Sequence, residues 1–155
     1  MLNSPTLINI PKHHFKNIKE AKMWAKKNIT GTYKNNNTSE SINISNTCIN
    51  KYLSESAIKK SANLDAHLAA LLIIPKLVEV SILKETHNDK NEDKNIKEIQ
   101  RFYGSINYEG KIYLVKITIK VTKIEGNKAY SYEVMNIKNP NNFNNHSGKY
   151  YTGRD

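Results

Sequence analysis

Residues 100–137 read QRFYGSINYEGKIYLVKITIKVTKIEGNKAYSYEVMNI, and this stretch decides the fold. Two Gly-containing breaks, Glu109-Gly110 and Glu125-Gly126, divide it into runs rich in Val, Ile, Thr and Tyr, the residues that fit a pleated, half-buried surface. The pattern predicts a three-stranded antiparallel meander with tight hairpin turns. A two-residue first turn pairs Tyr108 with Lys111, Ile106 with Tyr113, Gly104 with Val115 and Phe102 with Ile117, which makes one face apolar. The same register puts Arg101, Tyr103, Ser105, Leu114, Lys116, Thr118 and Lys120 on a second face that is polar and mostly basic. A second tight turn pairs Ile124 with Asn127 and sets Tyr130, Tyr132 and Val134 beside Val121, Ile119 and Ile117. Ser131 and Glu133 then join the basic face, Glu133 opposite Thr118, and a longer loop would flip this last strand.

Working outward, 155 residues with 38% hydrophobic content suit one compact domain with one core. The expected organisation is an extended lead-in over 1–16, a mainly helical part with one short strand over 17–98, the meander over 99–137 and a flexible tail over 138–155. A net charge of +10, carried mostly by Lys, favours a polyanionic partner, nucleic acid first among them. A merely solvated Lys- and Asn-rich surface is the competing reading. The single cysteine, Cys48, excludes an internal disulfide, and no Cys/His cluster has zinc-ligand spacing. The most apolar segment, LAALLIIPKLVEVSIL, is broken by Pro75 and punctuated by Lys76 and Glu79. That is a core helix pattern rather than a membrane span, so no membrane insertion is expected.

Along the helical part, IKEAKMWAKKN (18–28) places Ile18, Ala21, Met23, Trp24 and Ala25 close to the spacing of an amphipathic helix, with Trp24 as core anchor or base-stacking aromatic. TYKNNNTSES (32–41) reads as a polar loop before the short strand SINIS (41–45). Ser45 to Thr47 offer a cap to a helix from near Cys48, Ser54 or Ser56 starts the next, and Asp65 suits the N-cap or the first turn of a helix running to Ile74. Pro75 opens a further helix, PKLVEVSIL (75–83). The charged run KETHNDKNEDKNIKE (84–98) reads as solvated loop or helix extension, and His87 within it is given no role.

No phosphate-binding Gly loop, HExxH, GxSxG or zinc pattern is present, and the closest-spaced acidic residues, Asp89, Glu92 and Asp93, fall in that charged run. Neither a metal nor a cofactor is expected. RNA is cleavable without metal, because its own 2'-hydroxyl is the nucleophile and the protein needs a base, an acid and cations. His67 is the residue type for proton transfer near neutral pH, and Lys116 and Arg101 supply cations. Thr118 or Tyr103 would donate hydrogen bonds to phosphate, with Lys120 and Ser131 as further substrate contacts on the same face. The competing reading is a buried histidine beside an aliphatic helix face and an ordinary solvated sheet side. Lys60 lies seven residues from His67 and shares its helix face only if one helix runs through both.

The order SINIS, then KYLSESAIKKSANLDAHLAALLIIPKLVEVSIL, then RFYGSINYEGKIYLVKITIKV resembles the barnase/EndoU/colicin/RelE-like nuclease superfamily over about Ile18 to Ile137. The most telling pieces are KKSANLDAH and a G-x-x-Y-x-V-K pattern within EGKIYLVKITIK, similar to the branch found in large polyvalent proteins of phages and conjugative elements. The resemblance implies an α+β fold in which N-terminal helices pack on one face of a small antiparallel sheet ending in the meander. It implies His67, Lys60, Lys116 and Thr118 as catalytic residues of a metal-independent ribonuclease toxin cutting tRNA or another structured RNA. It also implies release or delivery as part of a larger protein, action in the cytoplasm of a target cell, and control by a cognate immunity protein or antitoxin. A non-catalytic nucleic-acid-binding module and a protein-binding immunity or structural partner are the alternatives.

Overall fold

The computed structural model describes residues 6–88, 96–122 and 127–136, with side chains omitted at 96–97, 122 and 127–136. In chain order the elements are β1 (Leu7–Asn9), α1 (Ile18–Asn28), β2 (Gly31–Lys34), β3 (Ser41–Ile44), α2 (Asn46–Tyr52), α3 (Glu55–Lys60), α4 (Leu64–Leu71) and α5 (Ile74–Val80). They are followed by β4 (Ile82–His87), β5 (Ile96–Tyr108), β6 (Lys111–Thr122) and β7 (Asn127–Asn136). The class is α+β, with helices packed on one face of a sheet that ends in the expected meander. The seven strands form one mixed sheet in the order β1-β5-β6-β7-β3-β2, with β4 also paired to β5.

Four of the five helices, α1 to α4, start where a short polar side chain takes up an otherwise unpartnered backbone N–H. Asn17 accepts from Glu20 N at 2.8 Å while the Glu20 carboxylate reaches back to Lys16 N at 2.8 Å. Ser45, Ser54 and Asn63 do the same for α2, α3 and α4, and Pro75 sits in the first turn of α5. Asp65 is a first-turn residue of α4, not its cap. The helix is interrupted at residues 61–63, so Lys60 and His67 stand on different helices, α3 and α4.

The first hairpin has the expected register throughout, from Tyr108–Lys111 to Phe102–Ile117. Glu109 and Gly110 both have positive φ, 51° and 85°, the type I′ pattern that matches strand twist. Phe102, Ile106, Val115, Ile117 and Ile119 are buried in one cluster with Ala21, Ala25, Leu68, Leu71, Leu77 and Val78 from the helices. Gly104 faces α5: a Cβ there would lie 3.0 Å from Leu77 Cδ2.

The second hairpin differs from expectation. Val121 pairs with Asn127 and Thr118 with Ser131, so Glu133 stands opposite Lys116 rather than Thr118; Ile124 and the Glu125-Gly126 turn lie outside the described residues. Between Thr118 and Ile119 the register shifts by one, with Tyr130 as the extra residue. This bulge brings Tyr132 back opposite Ile117 and Val134 opposite Val115, the parity that a wider connection alone would have lost.

Three short strands stand where none was expected. β1 runs parallel to β5 within the lead-in and β2 pairs antiparallel with β3. The helix expected over 75–83 stops at Val80, and its last two residues, Ile82 and Leu83, open β4, which continues into the charged run and pairs with β5. The part from 17 to 98 therefore carries more strand than its sequence suggested. The tail over 138–155 lies outside the described residues.

Candidate functional site on the sheet face away from the helices

Because Phe102, Gly104 and Ile106 face the helices, Arg101, Tyr103 and Ser105 lie on the other side of β5. This face is not the open basic surface that alternation predicts. Tyr103 and Leu114 are fully buried outside the helix-packed cluster, and Lys116 is only 5% exposed. Lys116 belongs to a central strand, between Tyr103 and Glu133 by register. Thr118, Lys120 and Arg101 are partly exposed. Ser131 is opposite Thr118, as a backbone position.

His67 is elsewhere, sealed in the core between α2 and α4. Its ring stacks on Tyr52 at 4.0 Å between centroids and 10° between planes. Nε2 donates to the Tyr52 carbonyl at 2.7 Å, and the Tyr52 hydroxyl donates in return to the His67 carbonyl. Nδ1 is buried with no hydrogen-bond partner. Burial pushes the imidazole pKa down and the Tyr52 hydroxyl up. A ring with no exposed surface has no route to a phosphodiester, so the geometry assigns His67 to packing and argues against acid–base work there. Lys60 is exposed in the last turn of α3, beside Lys59, Glu55 and Ser56. No described hydrogen bond or ion pair joins it to the sheet-face residues.

The sheet face instead acquires a histidine and a carboxylate from β4. Glu85 pairs with Arg101 and His87 with Ile99, both on the polar side of β5. Glu85 Oε1 is 2.9 Å from His87 Nε2 and 3.6 Å from Arg101 Nη1, while Oε2 accepts from the Tyr103 hydroxyl at 3.0 Å. The group is graded in depth: Tyr103 is buried, the Glu85 side chain is 12% exposed, Arg101 22% and His87 41%. A carboxylate only accepts, so Nε2 carries the proton and, in the neutral ring, Nδ1 keeps its lone pair. Glu85 thus fixes tautomer and orientation, Tyr103 fixes Glu85, and a guanidinium stands beside both.

Strict alternation hides this group. Leu83 packs with the core, and Glu85, two residues on, would ordinarily share its face. The register shifts between Leu83 and Glu85, and the extra residue, Lys84, sends Glu85 to the opposite side. Bulges beside functional sites re-aim side chains in this way. The signal available in sequence was ILKETH, apolar then polar, with an acid and a histidine two residues apart.

Among the described residues, no three His, Cys, Asp or Glu side chains are grouped so as to hold a metal ion, and no helix is long and apolar enough to cross a membrane.

The fold and this face together define an α+β domain with a helix-packed core on one side of its sheet and a histidine–carboxylate–guanidinium group on the other. Residues 14–130, 117 of the chain's 155, match the family model of the large polyvalent protein-associated domain 3, and the chain belongs to that family. No curated protein and no solved structure matches it.

Proposed function

We propose that this domain is a metal-independent endoribonuclease whose proton acceptor is His87. The observation that carries the reading is the 2.9 Å His87–Glu85 pair beside Arg101, on the face of the sheet that the helices leave open. In the proposed reaction the RNA 2'-oxygen attacks the adjacent phosphorus and its proton passes to His87 Nδ1. Arg101 opposes the charge gathering on the phosphoryl oxygens, Thr118 and Lys120 engage neighbouring phosphates, and the P–O5' bond breaks. The 5'-oxygen takes a proton from water at the open rim, and the hydroxide so formed takes the proton back from His87, leaving a 2',3'-cyclic phosphate, a 5'-hydroxyl and the neutral histidine. Glu85 stabilises the imidazolium, as a carboxylate does for any histidine base. Lys116 acts from beneath as a fixed positive charge.

The wider reading follows from the family and from the likeness in SINIS, KKSANLDAH and EGKIYLVKITIK to barnase/EndoU/colicin/RelE-like nucleases. On it, the domain is a toxin module of a larger polypeptide from a phage or conjugative element. It cuts tRNA or another structured RNA in the target cell's cytoplasm and is restrained by an immunity protein or antitoxin. The test is incubation of the purified protein with total RNA in EDTA, followed by mapping of the new ends. Cyclic-phosphate ends support the reading. Salt-sensitive RNA binding with no new ends would instead identify a binding module that uses the same cations without chemistry.

A further inference from the structure

On the opposite side of the molecule, α1 presents a groove that the nuclease reading does not use. Its floor is Met23, which the helical spacing grouped with the apolar residues of α1 but which is 66% exposed, because Ala21 and Ala25 are the α1 residues buried in the core; beside it lies the half-buried indole of Trp24. Lys19 and Lys27 lie on the same i, i+4 row as Met23, about one turn to either side of it, with Asn17 and Asn28 also lining the groove. Phe15 packs against Trp24 at 5.6 Å with the rings tilted by 55°, and Lys12, His14 and Leu72 carry the surface beyond the indole. Glu20, the one acidic residue in the groove, already accepts from Lys16 N and so serves its own helix terminus. Lys19 and Lys27 make no ion pair among the described residues.

Covering Met23 would remove its apolar surface from water, and a partner that does so brings its own groups up to Lys19 and Lys27, which favours carboxylates there. The order Lys19, Met23, Lys27 sets the two charges eight residues apart, about 12 Å along the axis at 1.5 Å per residue. A second copy of this chain is a poor occupant, since it brings another +10 of like charge. Nucleic acid fits less well too. The exposed apolar group is a flexible thioether with no π-face, and the indole that has one is wedged against Phe15.

We infer that the α1 groove is a docking site for an acidic amphipathic helix of a partner protein, which lays one large apolar side chain on Met23 and Trp24 between carboxylates that meet Lys19 and Lys27. The pairing is the helix-in-groove mode, with charge setting register and the apolar anchor supplying most of the affinity.

The test is an array of synthetic helical 15-mers. Each carries an apolar residue (Leu, Met, Phe or Trp) midway between two Glu eight positions apart, against neutral Gln versions and a single-stranded RNA 15-mer. Binding is read by fluorescence anisotropy. At least one Glu peptide should bind, its Gln version should bind at least about tenfold more weakly, and M23D and the double variant K19E/K27E should each weaken it by a similar factor. RNA affinity should be unmoved by M23D, and circular dichroism should show α1 intact, since Met23 points to solvent. If no Glu peptide binds better than its Gln version, or M23D leaves affinity within about twofold, the groove is not this site. If M23D and K19E/K27E reduce RNA binding as much as peptide binding, the face belongs to nucleic acid.

Discussion

Two histidines with opposite surroundings carry most of the functional argument. His67 has both faces packed, one ring nitrogen on a carbonyl and the other in an apolar pocket, so protonating it places a charge and an unmatched N–H in the core. Its pKa is lowered by burial from the ordinary 6.5, so below that value the unfolded chain binds a proton that the folded chain refuses. Stability from this group is therefore complete above about pH 6.5 and is lost as pH falls from there towards the depressed folded value. Thermal melts between pH 8 and 5 should show a fall in Tm that the His67→Phe variant lacks; parallel curves would mean that His67 is not sealed. In the sequence, His67 was the conspicuous histidine because KKSANLDAH lies in an ordered, motif-like stretch. Position along a chain does not reveal which face of α4 meets α2. His87 was passed over because it sits among Asn, Asp and Lys, a composition that ordinarily marks solvated loop.

At the scale of elements, the close approach of α5 to β5 depends on a missing side chain. Gly104→Ala puts a methyl 3.0 Å from Leu77 Cδ2 and should cost about 1–3 kcal/mol in denaturant melts, partly restored by Leu77→Val. Ile117→Ala, at the centre of the core face, should cost about 2–5 kcal/mol. The loop after β2 holds the α5–β4 junction through Asn35, fully buried, whose Nδ2 donates to Val78 O at 2.7 Å and Ser81 O at 2.9 Å. Asn35→Asp would turn that donor into an acceptor facing two carbonyls. We expect a loss on the order of 3 kcal/mol, with the start of β4, and hence Glu85, released first. A variant as stable as the parent would show that the loop is incidental. The first hairpin was legible because Glu-Gly is a two-residue turn that fixes every pair behind it. The last strand and β4 were not, because each contains a bulge, and one extra residue reverses faces with almost no trace in the alternation. β1 and β2, three and four residues long, are too short to show a period and exist because longer neighbours offer them an edge.

For the molecule as a whole, the charge of +10 and the sheet-face group suit polyanion chemistry, while the α1 groove faces away from it. That separation allows a partner to hold the domain without covering the site where RNA would be cut. The most direct test of the central claim is the single-turnover rate on a saturating defined RNA in EDTA, measured for the parent, His87→Ala and His67→Phe, with Tm recorded alongside. The account predicts that His87→Ala lowers the rate by about a hundredfold or more with Tm and RNA affinity little changed, the usual loss for a general base. It predicts that His67→Phe alters stability and leaves the rate of the folded fraction near the parent's. A parent that cuts RNA equally well without His87, or that loses its cleavage only with His67, would contradict it.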